Sequence, residues 1–321
     1  MNTIITLLKR EYWENRSSFV ITPLAIGGFY LALIIITLFN TEHLFEVHTS
    51  GIEKLSIFGV NVGDLNFITE LATKTFSHLD IALRTEIWEK GFYGYSTSFT
   101  LVLVIISIVY LLGSLYDDRK DKSILFWKSL PVSDLTTVMS KLATVIFVIP
   151  AIYVAATTIS FLIVMLIASV ITLIAGGGVW ESIWHPAPIF SAPLQLYATY
   201  VIQSLWAAPF IGWLLLVSSW TKRKPIIVAF IPIGVITFME AYYSRTSIFI
   251  DAVRERAVGW VAPIDFSTGR HLGDGNLISA QEVIYGKAHT LVSLPDFWYG
   301  LAIAGIMVAG AIYIRRYRDE S

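Results

Sequence analysis

Asp117-Asp118-Arg119-Lys120-Asp121-Lys122-Ser123-Ile124-Leu125-Phe126-Trp127-Lys128-Ser129-Leu130-Pro131-Val132-Ser133-Asp134 is the most polar stretch of a strongly apolar chain, and it lies between two segments long enough to span a membrane. Its first six residues are all charged, the usual mark of a solvated segment. The character then changes. Over Ser123–Leu130 the side chains of Ile124, Trp127 and Leu130 recur at helical spacing on one side, with Lys128 and Ser129 elsewhere. Pro131 ends that helix, because the residue before a proline is pushed out of the α region. Ser133 is then placed to cap the next helix, with Asp134 in its first turn, where the helix dipole favours negative charge. The spacing thus predicts a short helix across the membrane face, then a sharp turn into the next span. Such a helix offers Phe126, Trp127 and Leu130 to something outside the bilayer. The competing reading is an ordinary cytoplasmic loop.

Composition agrees with a membrane setting. The chain has 321 residues, 55% of them hydrophobic and only 15% charged, with a mean hydropathy of +0.66. That is too apolar for a soluble protein of this length. Ten Trp and 15 Tyr fit aromatic belts at the two membrane interfaces. The absence of cysteine excludes disulfides, thiolate metal sites and a cysteine nucleophile. A net charge of -1 carries no nucleic-acid signal.

About 20 apolar residues are needed to cross the hydrocarbon core. Six stretches qualify, at about 19–39, 97–116, 142–174, 197–220, 226–243 and 297–314. The third exceeds one crossing and Pro150 is placed to kink it; Pro209 and Pro232 do the same in the fourth and fifth. Ahead of the first span, residues 1–18 carry Ile4, Ile5, Leu8 and Tyr12 at helical spacing, the pattern of an interfacial amphipathic helix. A cleaved signal peptide is the weaker alternative, since the apolar run to Phe39 is of full membrane length and no small-residue cleavage site is evident.

Of the 23 lysines and arginines, fourteen fall in the N-terminus, the 117–141 connection, Lys222-Arg223-Lys224 and the tail (Arg315, Arg316 and Arg318), and nine in the other connections. Both termini are therefore expected in the cytoplasm. The expectation is a single transmembrane domain over 1–321: an all-α polytopic protein of the plasma (inner) membrane with six transmembrane helices and two sizeable extracytoplasmic loops, 40–96 and 244–296. Within these loops, a helical pattern runs through Leu65 to Leu83, and short helices are expected at Asp251–Arg256 and Ser279–Lys287.

Chemistry-bearing motifs are sparse. Gly176-Gly177-Gly178 lacks the lysine of a phosphate-binding loop and reads as a turn at a span end, so nucleotide hydrolysis is not expected of this chain. Glu240 is the one ionisable residue within an expected span; such a group is functional by default, although Arg245 nearby also fits an interfacial role. All six histidines fall in expected outside segments without metal-ligand spacing, and no nucleophile-elbow pattern occurs. The basic clusters at 222–224 and 315–318 read as orientation signals that also touch anionic lipid.

An interfacial N-terminal helix, six spans with both ends inside, and a charged-then-helical connection ending Ser129-Leu130-Pro131-Val132-Ser133 resemble the permease subunits of type-2 ATP-binding-cassette exporters. The resemblance implies that Asp121–Leu130 is a coupling helix fitting a groove on a separate ATPase subunit. It implies docking roles for Asp118, Arg119, Asp121, Lys122, Ile124, Phe126, Trp127, Lys128, Leu130 and Pro131. It further implies two ATPase copies carrying ATP and Mg, no cofactor on this chain, a second permease copy, identical or not, and a hydrophobic or amphipathic cargo such as a lipid, peptide or drug. The first outside connection is longer than in minimal members. Two other classes stay open: a membrane scaffold or sensor docking a non-ATPase partner, and an ion-coupled carrier, which the scarcity of intramembrane ionisable groups disfavours.

Overall fold

The computed structural model describes residues 3–39, 56–57, 60–61, 79–121, 132–174, 176–258 and 294–317. Apart from a two-residue antiparallel ladder, Ser56–Ile57 with Val60–Asn61, the described chain is α-helical, with three short π turns. In order, the helices are α1 (Thr3–Glu14), α2 (Thr22–Phe39), α3 (Ile81–Ser114), α4 (Tyr116–Lys120), α5 (Asp134–Ala143), α6 (Ile149–Ile174), α7 (Ser191–Trp206), α8 (Ala208–Trp220), α9 (Pro225–Tyr243), α10 (Ile248–Val258) and α11 (Pro295–Tyr317).

Five described helical stretches are long and apolar enough to cross a membrane: Ser17–Ile36, Ile81–Lys120, Asp134–Leu173, Pro225–Tyr243 and Pro295–Tyr317. The pair α7 and α8 passes the same test together but is bent by 65° at its break. Pro209, in the first turn of α8, explains the break: it has no N–H to give the carbonyl of Leu205. Pro232, by contrast, sits inside an unbroken α9. Pro150 follows a π turn, Thr144–Val148, in which the Ile149 amide bonds the Thr144 carbonyl; the wider turn absorbs the donor that proline lacks.

Local signals elsewhere act as their chemistry dictates. Ser133 Oγ accepts the Thr136 amide at 3.1 Å and caps α5. After α6, Gly176 takes a φ of +73° and its amide bonds the Leu173 carbonyl, while the Gly177 amide bonds that of Thr172, closing the helix end. One expectation changes. Residues 81–96, read as part of an outside loop, belong to the helix that continues to Ser114. Hydropathy marks where lipid contact begins, not where a helix begins, and the charged first turns of α3 hold themselves by the Glu86–Lys90 pair at 2.6 Å. In α1, Leu7 and Glu11 form the buried side, whereas Ile4 and Ile5 are exposed and Leu8 and Tyr12 half-buried. The pattern through Leu65 to Phe76 and the Ser279–Lys287 helix lie outside the described residues, whereas Asp251–Arg256 falls inside α10.

The chain divides into two compact units: Met1–Phe19, Thr100–Ile152 and Tyr197–Ser321 form the first, and Val20–Phe99 with Tyr153–Leu196 the second. In the first, α8 and α11 make the most extensive pairing. A Cβ on Gly212 would sit 3.2 Å from the Ala304 carbonyl oxygen and 3.2 Å from Met307 Cβ, so glycine there sets how near the two backbones come. The second unit is held by rings and hydroxyls. Tyr30 pairs with Ser98 and Tyr95 with Ser160, and Tyr30, Phe92, Tyr95, Phe99 and Phe161 are linked through ring contacts at 5.0–5.7 Å. The π turn Trp180–Trp184 is tied to α3 by the Trp88 indole on the Ser182 carbonyl (3.0 Å) and by Arg84 on the Glu181 carbonyl (2.8 Å).

Candidate functional site: a buried charge network

The first unit contains a cluster of buried charges at the two ends of the 121–133 connection. Each member comes from a different place in the sequence. α1 supplies Arg10 and Glu11, the end of α3 supplies Tyr110, α4 supplies Asp118, α5 supplies Asp134 and Lys141, and the last turn of α11 supplies Arg315. Glu11, Lys141, Arg315 and Asp118 retain only 1%, 2%, 4% and 9% of their exposure.

Glu11 is the inner acceptor. One carboxylate oxygen accepts the Lys141 ammonium at 3.1 Å and also contacts Arg10; the other accepts the Tyr110 hydroxyl at 2.7 Å. Lys141 lies 3.5 Å from Asp118 Oδ2. Arg315 closes the set: its Nη1 donates to Asp118 at 3.1 Å and its Nε to Asp134 at 3.0 Å. Three cations, Arg10, Lys141 and Arg315, thus face three carboxylates, Glu11, Asp118 and Asp134. Such balance is required physically, because a buried ion without a counter-ion loses hydration worth several kcal/mol. Glu14, on the half-exposed margin, pairs with Arg10 at 3.4 Å. Partial burial pushes its carboxyl above the usual range, and Arg10 pulls it back.

A second set of bonds fixes the corner between α3 and α4. Ser218 Oγ accepts the amides of Leu115 and Tyr116 at 3.0 and 3.1 Å and donates to the Leu112 carbonyl at 2.8 Å. Arg119 donates to the carbonyls of Ser218 (2.6 Å) and Thr221 (2.9 Å), satisfying the C-terminal end of α8.

Sequence reasoning singled out Asp118 and Arg119 as partner-facing; both engage groups inside the unit. Asp121 is exposed, as are Asp117 and Lys120 beside it. Lys122, Ile124, Phe126, Trp127, Lys128, Leu130 and Pro131 lie outside the described residues. Glu240, half-buried at the end of α9, accepts the Phe249 amide at 2.9 Å and the Thr246 hydroxyl at 2.9 Å, so it caps α10 and sits at the favourable end of that helix dipole. Five members of the network were not singled out: Arg10, Glu11, Tyr110, Lys141 and Arg315. A signal existed for Lys141, which lies seven residues after Asp134 and so on the same helical face. Glu11 and Arg315 carried none, since a lone acid in an amphipathic helix and an arginine after a span are both ordinary.

What the arrangement does mechanically follows from Arg315. One guanidinium holds Asp118, just before the connection, and Asp134, just after it, so both ends of the 121–133 segment are fixed to the end of α11. Through Asp118 and Lys141 the same network reaches Glu11 on α1. The network therefore ties the two ends of the connection to α1, α3, α5 and α11. No family model matches the chain, and no curated protein or solved structure matches it.

Proposed function

We propose that this chain is the membrane-spanning permease subunit of an ATP-driven exporter, working with a separate ATPase subunit that binds ATP and Mg. The observation that carries the reading is the double hold of Arg315 on the two ends of the 121–133 connection. A segment that only links two spans needs no buried ionic frame; one that receives force from a partner does, because a soft root would absorb the movement. In this reading the bent α7–α8 pair is the sixth span, both termini are cytoplasmic, and residues 122–131 dock in a groove of the ATPase. Ile124, Phe126, Trp127, Leu130 and Pro131 supply the buried anchors there, since aromatic side chains commonly carry most of an interface's energy. Asp121, Lys122 and Lys128 set register and partner choice. Asp118 and Arg119 position the segment from behind.

ATP-driven closure of two ATPase subunits then pushes on the connection, and the charge network moves α1 and α11 with it. Two permease copies line one pathway for a hydrophobic or amphipathic cargo, with membrane lipid around them. No hydrolysis takes place on this chain, and nucleic acid has no part.

The test is to tag the C-terminus, extract native membranes in mild detergent, and identify what co-purifies stoichiometrically. A soluble subunit with a phosphate-binding loop, lost on Trp127→Ala while membrane insertion persists, supports the exporter. A stoichiometric partner with no nucleotide site overturns it in favour of a docking scaffold.

A further inference from the structure

The first unit has a second built contact, at the opposite ends of α8 and α11 from the charge network. α10 is gripped at both of its ends. Its N-terminal amide at Phe249 is bound by Glu240 of α9. Near its C-terminus Arg256 reaches two other helices: Nη1 donates to the carbonyl of Trp206, the last residue of α7, at 3.2 Å, and Nη2 to the carbonyl of Asp296, in the first turn of α11, at 2.7 Å. The guanidinium also lies over the Trp206 ring, 4.0 Å from its centroid. Gly300 makes the room. A Cβ there would stand 2.7 Å from Nη1 and 3.1 Å from Cζ.

The chain bends by 65° between α7 and α8, and the Arg256 guanidinium meets the Trp206 carbonyl at that bend. Only arginine suits this position: its planar fork spans two carbonyls while its face stacks on an indole, which a lysine ammonium does not do.

We infer that Arg256 is a latch, pinning α10 across the α7–α8 break to the first turn of α11, and that its release lets this end of the α8–α11 pairing open. Gly300, against the guanidinium, is buried, as are Ala208 and Phe297 at the same ends of α8 and α11. Open, the latch frees α10 to move on its hinge at Glu240. The device stands whether or not the chain is a permease, since every contact in it is internal to the unit.

The chain has no cysteine, so a single introduced thiol reports without background. Ala208→Cys reads the latched end; Val138→Cys, fully buried in α5, reads the opposite one. Both are made in the full chain in lipid nanodiscs and labelled with a maleimide. Arg256→Gln is expected to raise the Ala208→Cys labelling rate on the order of tenfold, the effect of one charge-assisted hydrogen bond on a closed–open equilibrium, and to leave Val138→Cys unchanged. Gly300→Ala, which displaces the guanidinium without removing its charge, is expected to act in the same direction, and Arg256→Lys to fall between. An unchanged Ala208→Cys rate in both Arg256→Gln and Gly300→Ala overturns the latch. So does an equal rise at both probes, which reports general loosening.

Discussion

The two units of the chain solve the same problem with opposite chemistry. Both hold polar groups between apolar helices, buried for the most part in the charge network of the first and half-buried for the most part in the second. The first pairs full charges, Glu11 with Lys141 and Asp118 with Arg315; the second pairs neutral hydroxyls, Tyr30 with Ser98 and Tyr95 with Ser160, inside a cluster of rings. Neutral pairs are forgiving, because a deleted hydroxyl leaves little behind. Charge pairs are not, since deletion of one partner strands the other. A set of helices joined by buried charges therefore tolerates less independent movement than one joined by hydroxyls and rings. The charges lie where the most polar connection of the chain begins and ends.

The largest expected effect is at Lys141. Lys141→Met removes one of the two cations on Glu11 and one of the two on Asp118, leaving the buried cluster with an excess negative charge, and is expected to destabilise the purified protein by about 3 kcal/mol in thermal or denaturant unfolding. Adding Glu11→Gln to Lys141→Met should recover part of that loss, because the excess negative charge is removed with it. A loss no larger than 1 kcal/mol or so for Lys141→Met would erase the contrast between the units. At the small end, Tyr95→Phe removes one neutral bond and keeps the ring, so its expected cost is about 0.6 kcal/mol, the usual scale of such bonds within membranes. A cost for Tyr95→Phe as great as that for Lys141→Met would break the comparison from the other side.

How much of this could be read from the residue order depends on range. Signals that act over a few residues were legible. The Ser133 cap, the turn at Gly176, the break ahead of Pro209 and the apolar runs of α2, α6, α9 and α11 each follow from local chemistry. The start of α3 was not, because Arg84, Glu86, Glu89 and Lys90 look like loop residues until their helical spacing is given more weight than their charge. The charge network was least legible. Glu11 and Lys141 are 130 positions apart, and Arg315 lies 197 from Asp118. Arg315 has the appearance of an orientation signal, and nothing in its neighbourhood distinguishes it from the exposed Arg316 beside it. Glu240 shows the reverse case: an acid near a span end drew attention as an intramembrane charge, and its place is the cap of α10.

The most direct measurement on the central claim is whether Arg315 carries movement from the connection to α11. Ala311→Cys, fully buried one turn before Arg315, is placed in the tagged chain and labelled in the co-purified complex with and without ATP and Mg. The account predicts that nucleotide changes the labelling rate in the otherwise native chain, and that Arg315→Gln abolishes this change while the partner still co-purifies. An ATP response that survives Arg315→Gln undiminished would contradict it, and would mean that the charge network holds the helices together without coupling them to the connection.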